Sequence, residues 1–170
     1  PTTIYGVNRL SSESYCKIYN NVYGIDTLTF RITNSFGPRE QITKHKNAIN
    51  YLIHQAFQRK DVTIFNNGKF YRDMIYIDDV VSGLKKIMKS GISGNTYWVS
   101  SGKKTWFYQL GQWLEELTDA KIKYVKTPTY TKKVDVGNFI VDNSKLRKLG
   151  WQTSITVKEG IRSEEHTSEL

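Results

Sequence analysis

The first chemically suggestive pair in this chain is a tyrosine followed four residues later by an arginine, Tyr5 and Arg9. Residues four apart lie on one face of a helix, and a fixed positive charge favours the ionised form of a neighbouring phenol. Such a tyrosine can exchange a proton with a substrate near neutral pH. Taken alone, the pair also suits an ordinary aromatic residue at the start of an amphipathic helix.

Acidic residues near the middle of the chain are the second candidate for chemistry. Asp73, Asp78 and Asp79 lie within seven residues of one another, which invites a metal site. No histidine accompanies them, and Asp78 and Asp79 stand where they would cap a following helix. We therefore predict that no metal is bound.

Four sequence blocks follow one another in a fixed order. They are Tyr5-Gly6-x-x-Arg9-x-x-x-Glu13, Arg31-x-x-Asn34-x-Phe36-Gly37-Pro38-Arg39, Arg72-Asp73-Met74-Ile75-Tyr76-Ile77-Asp78-Asp79-Val80 and Asp142-Asn143-Ser144-Lys145-Leu146-x-x-Leu149-Gly150-Trp151. In this order they resemble the NAD-dependent epimerase/dehydratase family, the extended short-chain dehydrogenase/reductases. The resemblance runs from about residue 1 to residue 161, and four blocks in register are far more specific than any one of them.

The resemblance implies an α/β fold: the C-terminal part of a doubly wound, Rossmann-like parallel sheet, plus a small α/β substrate-binding domain. Residues 1–40 would end the NAD-binding domain, and residues 41–161 would form mainly the sugar-nucleotide-binding domain. No glycine-rich turn for a dinucleotide pyrophosphate occurs in the 170 residues. We therefore expect a C-terminal fragment whose NAD-binding half is missing, and which is inactive and binds NAD poorly by itself.

The resemblance also assigns the catalytic and cofactor-binding residues. Tyr5 matches the family's catalytic tyrosine, which exchanges a proton with a sugar hydroxyl. Arg9 stands where the family has lysine, so a planar guanidinium replaces the ammonium that assists the tyrosine and holds the nicotinamide ribose. Ile32 and Thr33 match the stretch whose backbone lies against the nicotinamide.

Substrate contacts come from five further positions. Arg72 matches the arginine that clamps the nucleotide diphosphate, a bidentate task that lysine performs poorly. Asn34 matches a diphosphate contact, although a turn-forming asparagine after a strand is the simpler alternative. Arg39 either contacts phosphate or caps the turn. The remaining two assignments are Asn47, where the alignment is loose, and Asp135, near the ribose of the nucleotide.

The implied activity is NAD-dependent epimerisation of a nucleotide-diphospho-sugar through transient oxidation at sugar C4. A nucleotide-sugar 4,6-dehydratase remains open, because the residues that distinguish the two reactions would lie upstream. So does a nucleotide-sugar-binding homologue without turnover, which the arginine at position 9 suggests. The family resemblance further implies a homodimer for the whole protein.

Composition narrows the class of partner. The chain carries 25 basic and 16 acidic residues, a net charge of +9, but its lysines are scattered without a run of five or more, so we expect no nucleic-acid partner. The lone Cys16 cannot form an internal disulfide, and no apolar stretch is long enough to span a bilayer. We therefore expect a cytoplasmic protein with no membrane partner.

Periodicity places the blocks on helices and strands. The spacing predicts helices over 7–22, 44–59, 78–88, 105–117 and 143–149, and strands over 25–33, 62–65, 71–77, 95–100 and 122–125. Gly24 is suited to a left-handed helix cap, and residues 127–136 form a long loop. The last nine residues, 162–170, match the translation of a widely used sequencing adapter, so we expect them to be an artefact outside the fold that does not continue the helical pattern before it.

Overall fold

The computed structural model of the chain describes residues 3–40, 48–127 and 137–164. Within these ranges the helices are α1 (Ile4–Tyr23), α2 (Ala48–Phe57), α3 (Ile77–Ser90), α4 (Phe107–Leu117), α5 (Ser144–Lys148) and α6 (Val157–Ser163). The strands are β1 (Thr29–Ile32), β2 (Asn34–Phe36), β3 (Val62–Phe65), β4 (Tyr71–Tyr76), β5 (Thr96–Val99), β6 (Lys104–Trp106) and β7 (Ile122–Val125). A short 3-10 turn, Asn66–Gly68, connects β3 to β4.

Helix α1 is closed at both ends by local signals. The side chain of Thr3 accepts a hydrogen bond from the backbone N–H of Gly6 at 3.1 Å, which satisfies one of the first unpaired donors of the helix. At the other end Gly24 takes the predicted left-handed conformation, with φ of 66°, which glycine adopts without steric cost. None of the residues of α1 is buried, so the helix lies on the surface of the part of the chain described.

Three small sheets organise the strands of the described ranges. β1 pairs with β5 in parallel, and β3 pairs with β7 in parallel. β4 lies between β2, which is parallel to it, and β6, which is antiparallel. Parallel pairs need crossover connections, and here these are long enough to carry helices, as expected for an α/β fold.

In the part of the chain that the structure describes, two hydrophobic clusters hold the elements together. The larger lies among α2, α4, α6 and the sheets that contain β3 and β4, with Phe36, Ile64, Met74, Leu110 and Ile161 at its centre. The smaller lies among α3, α5 and β5; its buried members are Ile75, Val80, Ile87, Tyr97, Val99, Leu146 and Trp151. Residues late in the sequence thus pack in the same cluster as the strand that pairs with β1.

The predicted elements are largely confirmed, and β3 and β7 have the predicted bounds. Three residues differ in role. Thr105 does not cap α4; it is buried in β6 opposite Arg72, and the helix begins only after Trp106. Asp78 and Asp79 do not cap α3 either, because the helix begins at Ile77 and both carboxylates lie inside its first turn.

Several segment bounds also differ from the predicted ones, and β1 covers only Thr29–Ile32 of the predicted strand 25–33. α1 begins at Ile4 rather than at residue 7, because Thr3 caps it. Residues 34–36, which lie beyond the end of the predicted strand 25–33, pair with β4 as strand β2. α6 continues through Ser163, two residues into the segment that we expected to be outside the fold, and the Ser163 hydroxyl donates to the hydroxyl oxygen of Tyr76 at 2.7 Å.

Candidate functional site

A partly enclosed cavity of about 450 Å³ lies beside strand β3. One wall is α2, a second is β3 itself, and the rim is formed by the start of β4 and the first residue of α4. The lining is mostly apolar and aromatic and includes Ile49, Tyr51, Leu52, Ile64, Phe65, Phe70 and Phe107. Its polar side chains are those of Asn34, Gln55, Asp61, Thr63 and Arg72. Such a lining, with few polar groups in fixed places, is typical of a small-molecule site.

Arg72 is held at this rim by its neighbours. Its guanidinium carbon lies 5.3 Å from the ring centroid of Phe70 and 5.5 Å from that of Phe139. Both aromatic rings therefore contact the cation. Its Nη1 donates to the backbone carbonyl of Tyr71 at 3.1 Å and to that of Gly137. These contacts fix the position of the guanidinium at the start of β4.

The buried carboxylate of Asp73 anchors the strand next to Arg72. It accepts hydrogen bonds from the backbone N–H and hydroxyl of Ser101, at 3.0 and 2.8 Å, and from the backbone N–H of Gly102 at 3.2 Å. The backbone N–H of Val141 and the hydroxyl of Thr33 donate to it at 3.4 Å each. These donors come from three separate segments, so one carboxylate joins β4 to the end of β1, to the loop after β5 and to the segment that contains Val141.

Asn34 lies at the same rim. It begins β2, and its side-chain amide donates to the backbone carbonyl of Asp73 at 3.4 Å. The alternative of a simple turn residue is not what the structure shows, because Asn34 is paired with Met74 inside a sheet. Asn34 and Arg72 are therefore brought together at one cavity.

Tyr5 and Arg9 line a different and more open cleft of about 530 Å³ between α1 and β1. The guanidinium carbon of Arg9 lies 4.9 Å from the centroid of the Tyr5 ring, so the predicted helical neighbours are in contact. The cation lies over the ring face. The Tyr5 side chain is 68% exposed, which leaves it accessible to other groups in the cleft.

An ion pair ties the helix of Tyr5 to the sheet. The Arg31 Nε and Nη2 donate to the two carboxylate oxygens of Glu13, both at 2.6 Å, and the guanidinium lies 5.2 Å from the ring centroid of Trp98. The hydrogen bond from Arg31 lowers the pKa of Glu13 below its usual value. Since α1 buries no residue in the described chain, this bidentate pair is a principal contact between α1 and β1.

The other predicted site residues are distributed more widely. Ile32 and Thr33 lie at the carboxyl end of β1, where ligands of doubly wound sheets bind, and the Thr33 backbone N–H donates to Val99 at 3.3 Å. Arg39 is exposed beside a shallow depression formed with Pro38 and Ile77, away from the cavity lining. Asn47 and Asp135 lie outside the described residues.

Sequence reasoning missed the aromatic residues that hold Arg72. Phe70 precedes the arginine by two positions, so on a strand the two side chains share a face, and this spacing was a usable signal. Phe139 lies 67 residues later and no local pattern indicates its contact. The apolar wall from α2 was missed as a site because its spacing is that of an ordinary core-facing helix.

Asp79, like Asp73, accepts hydrogen bonds from a distant part of the chain. Asp79 accepts from the backbone N–H and hydroxyl of Ser154 and from the backbone N–H of Ile155, at 2.8 to 3.0 Å, and so fixes the segment before α6. Across residues 3–40, 48–127 and 137–164 there is no group of three metal-binding side chains. Over the same ranges no helix combines the length and apolarity needed to cross a membrane.

Comparison with known proteins bears on this arrangement. The model of the NAD dependent epimerase/dehydratase family matches residues 1–100. The chain belongs to this family. The family's description names NAD, which confirms the predicted cofactor.

Individual relatives cover nearly the whole chain. It is 27% identical over 164 residues to a Methanocaldococcus jannaschii protein described as "Putative UDP-glucose 4-epimerase", covering 95% of this chain and 52% of that protein. It is 25% identical over 169 residues to the dTDP-glucose 4,6-dehydratase of Salmonella typhimurium, covering 95% and 46%. The crystal structure of a Thermotoga maritima UDP-glucose 4-epimerase with UDP-glucose aligns with a TM-score of 0.84 at 28% identity, over 97% of this chain and 52% of that one.

The chain therefore spans about half the length of the curated relatives that it matches. The alignment with the Thermotoga structure confirms the predicted α/β, Rossmann-like fold class.

The residues present suit the nicotinamide end of NAD. Tyr5 offers a hydroxyl and Arg9 a fork of N–H donors to one accessible cleft, and both groups hydrogen-bond well to ribose hydroxyls. The exposed end of β1 provides backbone for an amide. This part of the chain would hold the reactive end of the cofactor.

Proposed function

We propose that the whole protein is an NAD-dependent epimerase that inverts C4 of a nucleotide-diphospho-sugar through transient oxidation at that carbon. The observation that carries the proposal is the fixed guanidinium of Arg72 beside Asn34 at the rim of an aromatic cavity. A base and ribose fit the apolar interior, and the diphosphate would lie at the cationic rim.

Each residue then has a defined part in the reaction. Bound NAD supplies the reversible hydride acceptor. Tyr5 takes the proton of the C4 hydroxyl as a general base and later returns it as a general acid, and the adjacent Arg9 cation contacts its ring. Arg72 and Asn34 hold the diphosphate, so the sugar can turn while the nucleotide stays bound, and either face of C4 can meet the cofactor.

A 4,6-dehydratase is the second candidate, and the similarity to the Salmonella dTDP-glucose 4,6-dehydratase is the observation in its favour. That reaction begins with the same oxidation but needs an additional acid and base to remove water. A nucleotide-sugar-binding homologue without turnover is the third, and Arg9 in place of lysine is its support.

The assembly of the whole protein belongs to the same proposal. Residues 1–40 end the NAD-binding domain, and residues 41–161 form mainly the sugar-nucleotide domain, with β5 returning to pair with β1. We further propose a homodimer that forms through the outer face of α1. Ile4, Val7, Tyr15, Ile18 and Val22 recur there at helical spacing and are exposed. The proposed setting is the cytoplasm, with no nucleic-acid or membrane partner.

The test of function is turnover by the whole protein. Purified protein with UDP-glucose and NAD, followed by proton NMR of the sugar, should give the C4 epimer with no net accumulation of NADH. Loss of the C6 hydroxyl with formation of a 4-keto sugar would favour the dehydratase. Tyr5→Phe should abolish most turnover with little change in substrate affinity, and unchanged turnover in Tyr5→Phe would overturn the proposal.

A further inference from the structure

Three consecutive residues of strand β4 form hydrogen bonds with a later segment of the chain, residues 137–141. The backbone N–H of Tyr71 donates to the side-chain oxygen of Asn138 at 3.0 Å, and Arg72 donates to the carbonyl of Gly137. The carboxylate of Asp73 accepts from the backbone N–H of Val141. The segment is therefore fixed along the strand that carries Arg72.

Phe139 lies in the middle of this hydrogen-bonded segment, residues 137–141. Its ring centroid is 5.5 Å from the guanidinium carbon of Arg72, and Phe70 contributes a second ring at 5.3 Å. Phe70 also lines the cavity, whereas Phe139 is not among its lining residues. Phe139 thus contacts the arginine from outside the cavity.

We propose that Phe139 is a positioning residue for diphosphate recognition: with Phe70 it fixes the plane of the Arg72 guanidinium at the rim of the cavity. An unrestrained arginine must lose rotamer freedom when it binds phosphate, and a guanidinium already in contact with two rings loses less. Aromatic faces attract the cation without competing for its N–H donors. This inference rests on the proposed function only in naming a nucleoside diphosphate as the ligand.

The positioning can be measured without ligand. In ¹⁵N-labelled protein, the Nε–H signal of Arg72, assigned by its loss in Arg72→Lys, should be shifted upfield by the rings and show a nuclear Overhauser contact to Phe139. Phe139→Leu should move the signal back toward its ordinary position, and Phe139→Tyr should keep it. Phe30→Leu, which changes an exposed phenylalanine of β1, is the matched control and should leave it unchanged. No Overhauser contact in the unaltered chain would overturn the proposal even if the Leu variant fails to fold.

Binding then tests the consequence. Calorimetric titration with UDP should show roughly three- to fivefold weaker affinity in Phe139→Leu, the range of a partly exposed cation–π contact, and recovery in Phe139→Tyr. Uridine affinity should not change, because uridine lacks the diphosphate. Equal losses for UDP and uridine, or no loss for UDP, would overturn the positioning role. If the unaltered chain binds no UDP while the NMR contact is present, the proposed function fails and the positioning of Arg72 stands.

Discussion

Replacement of Asp73 by alanine should be among the most destabilising single changes in the chain. The carboxylate is fully buried, and its removal leaves the backbone N–H groups of Ser101, Gly102 and Val141 without their acceptor. A lost acceptor in partly buried surroundings costs about 1 kcal/mol or somewhat more for each donor, so we expect a total of about 3–4 kcal/mol. For a chain of this size that corresponds to a fall of about 8–12 °C in Tm.

Thermal unfolding followed by circular dichroism measures this effect, and Asp78→Ala is the matched control. Asp78 is exposed in the first turn of α3, where its charge contributes about 0.3–1 kcal/mol through the helix dipole. Asp73→Asn keeps one carbonyl acceptor and should lie between the two. If Asp73→Ala loses no more stability than Asp78→Ala, the carboxylate does not join the three segments, and the reasoning is wrong.

Three further predictions concern α1 and the end of the chain. In the whole protein, Arg9→Lys should maintain or raise kcat. The Arg9 guanidinium lies over the Tyr5 ring, whereas a lysine ammonium at this position can approach the phenol oxygen. Loss of turnover in Arg9→Lys would refute this. Arg31 lowers the pKa of Glu13, so this pair stabilises the fold above pH about 4.3 and the benefit is lost as pH falls through the lowered pKa. The Tm difference between the unaltered chain and Glu13→Gln should therefore shrink in acid, and a constant difference would contradict the pairing. Ser163→Ala should lower Tm by about 2 °C through loss of the hydrogen bond to Tyr76, whereas no change would agree with a tail outside the fold.

Local signals explain why much of the fold could be predicted from the sequence. Strands β3 and β7 are short β-branched and aromatic runs between turn residues, and the left-handed cap at Gly24 needs a residue without a side chain. Errors arose where tertiary contacts decide. Thr105 has the chemistry of a helix cap, but pairing of β6 with β4 places it in a strand.

The candidate site likewise contains residues that local sequence signals predict and residues that only tertiary contacts bring together. Arg72 could be found because it stands in a specific sequence block, and the structure places it with Asn34 at one cavity. Phe139 could not be predicted from the sequence, because its contact with Arg72 depends on hydrogen bonds between residues 137–141 and β4. The ion pair between Glu13 and Arg31 joins residues 18 apart on a helix and a strand, and no periodicity within either element predicts it.

The most direct test of the central claim is calorimetric titration of the 170-residue chain with UDP, because Asn34, Arg72 and the other described residues that line the cavity are all present in it. We predict measurable binding, and a loss of about 1.5–3 kcal/mol in Arg72→Ala, the range for hydrogen bonds to a charged group. Arg39→Ala, which removes an exposed arginine outside the cavity lining, should change the affinity by less than twofold. Equal affinities in the unaltered chain and in Arg72→Ala would contradict the assignment of this cavity to a nucleotide diphosphate.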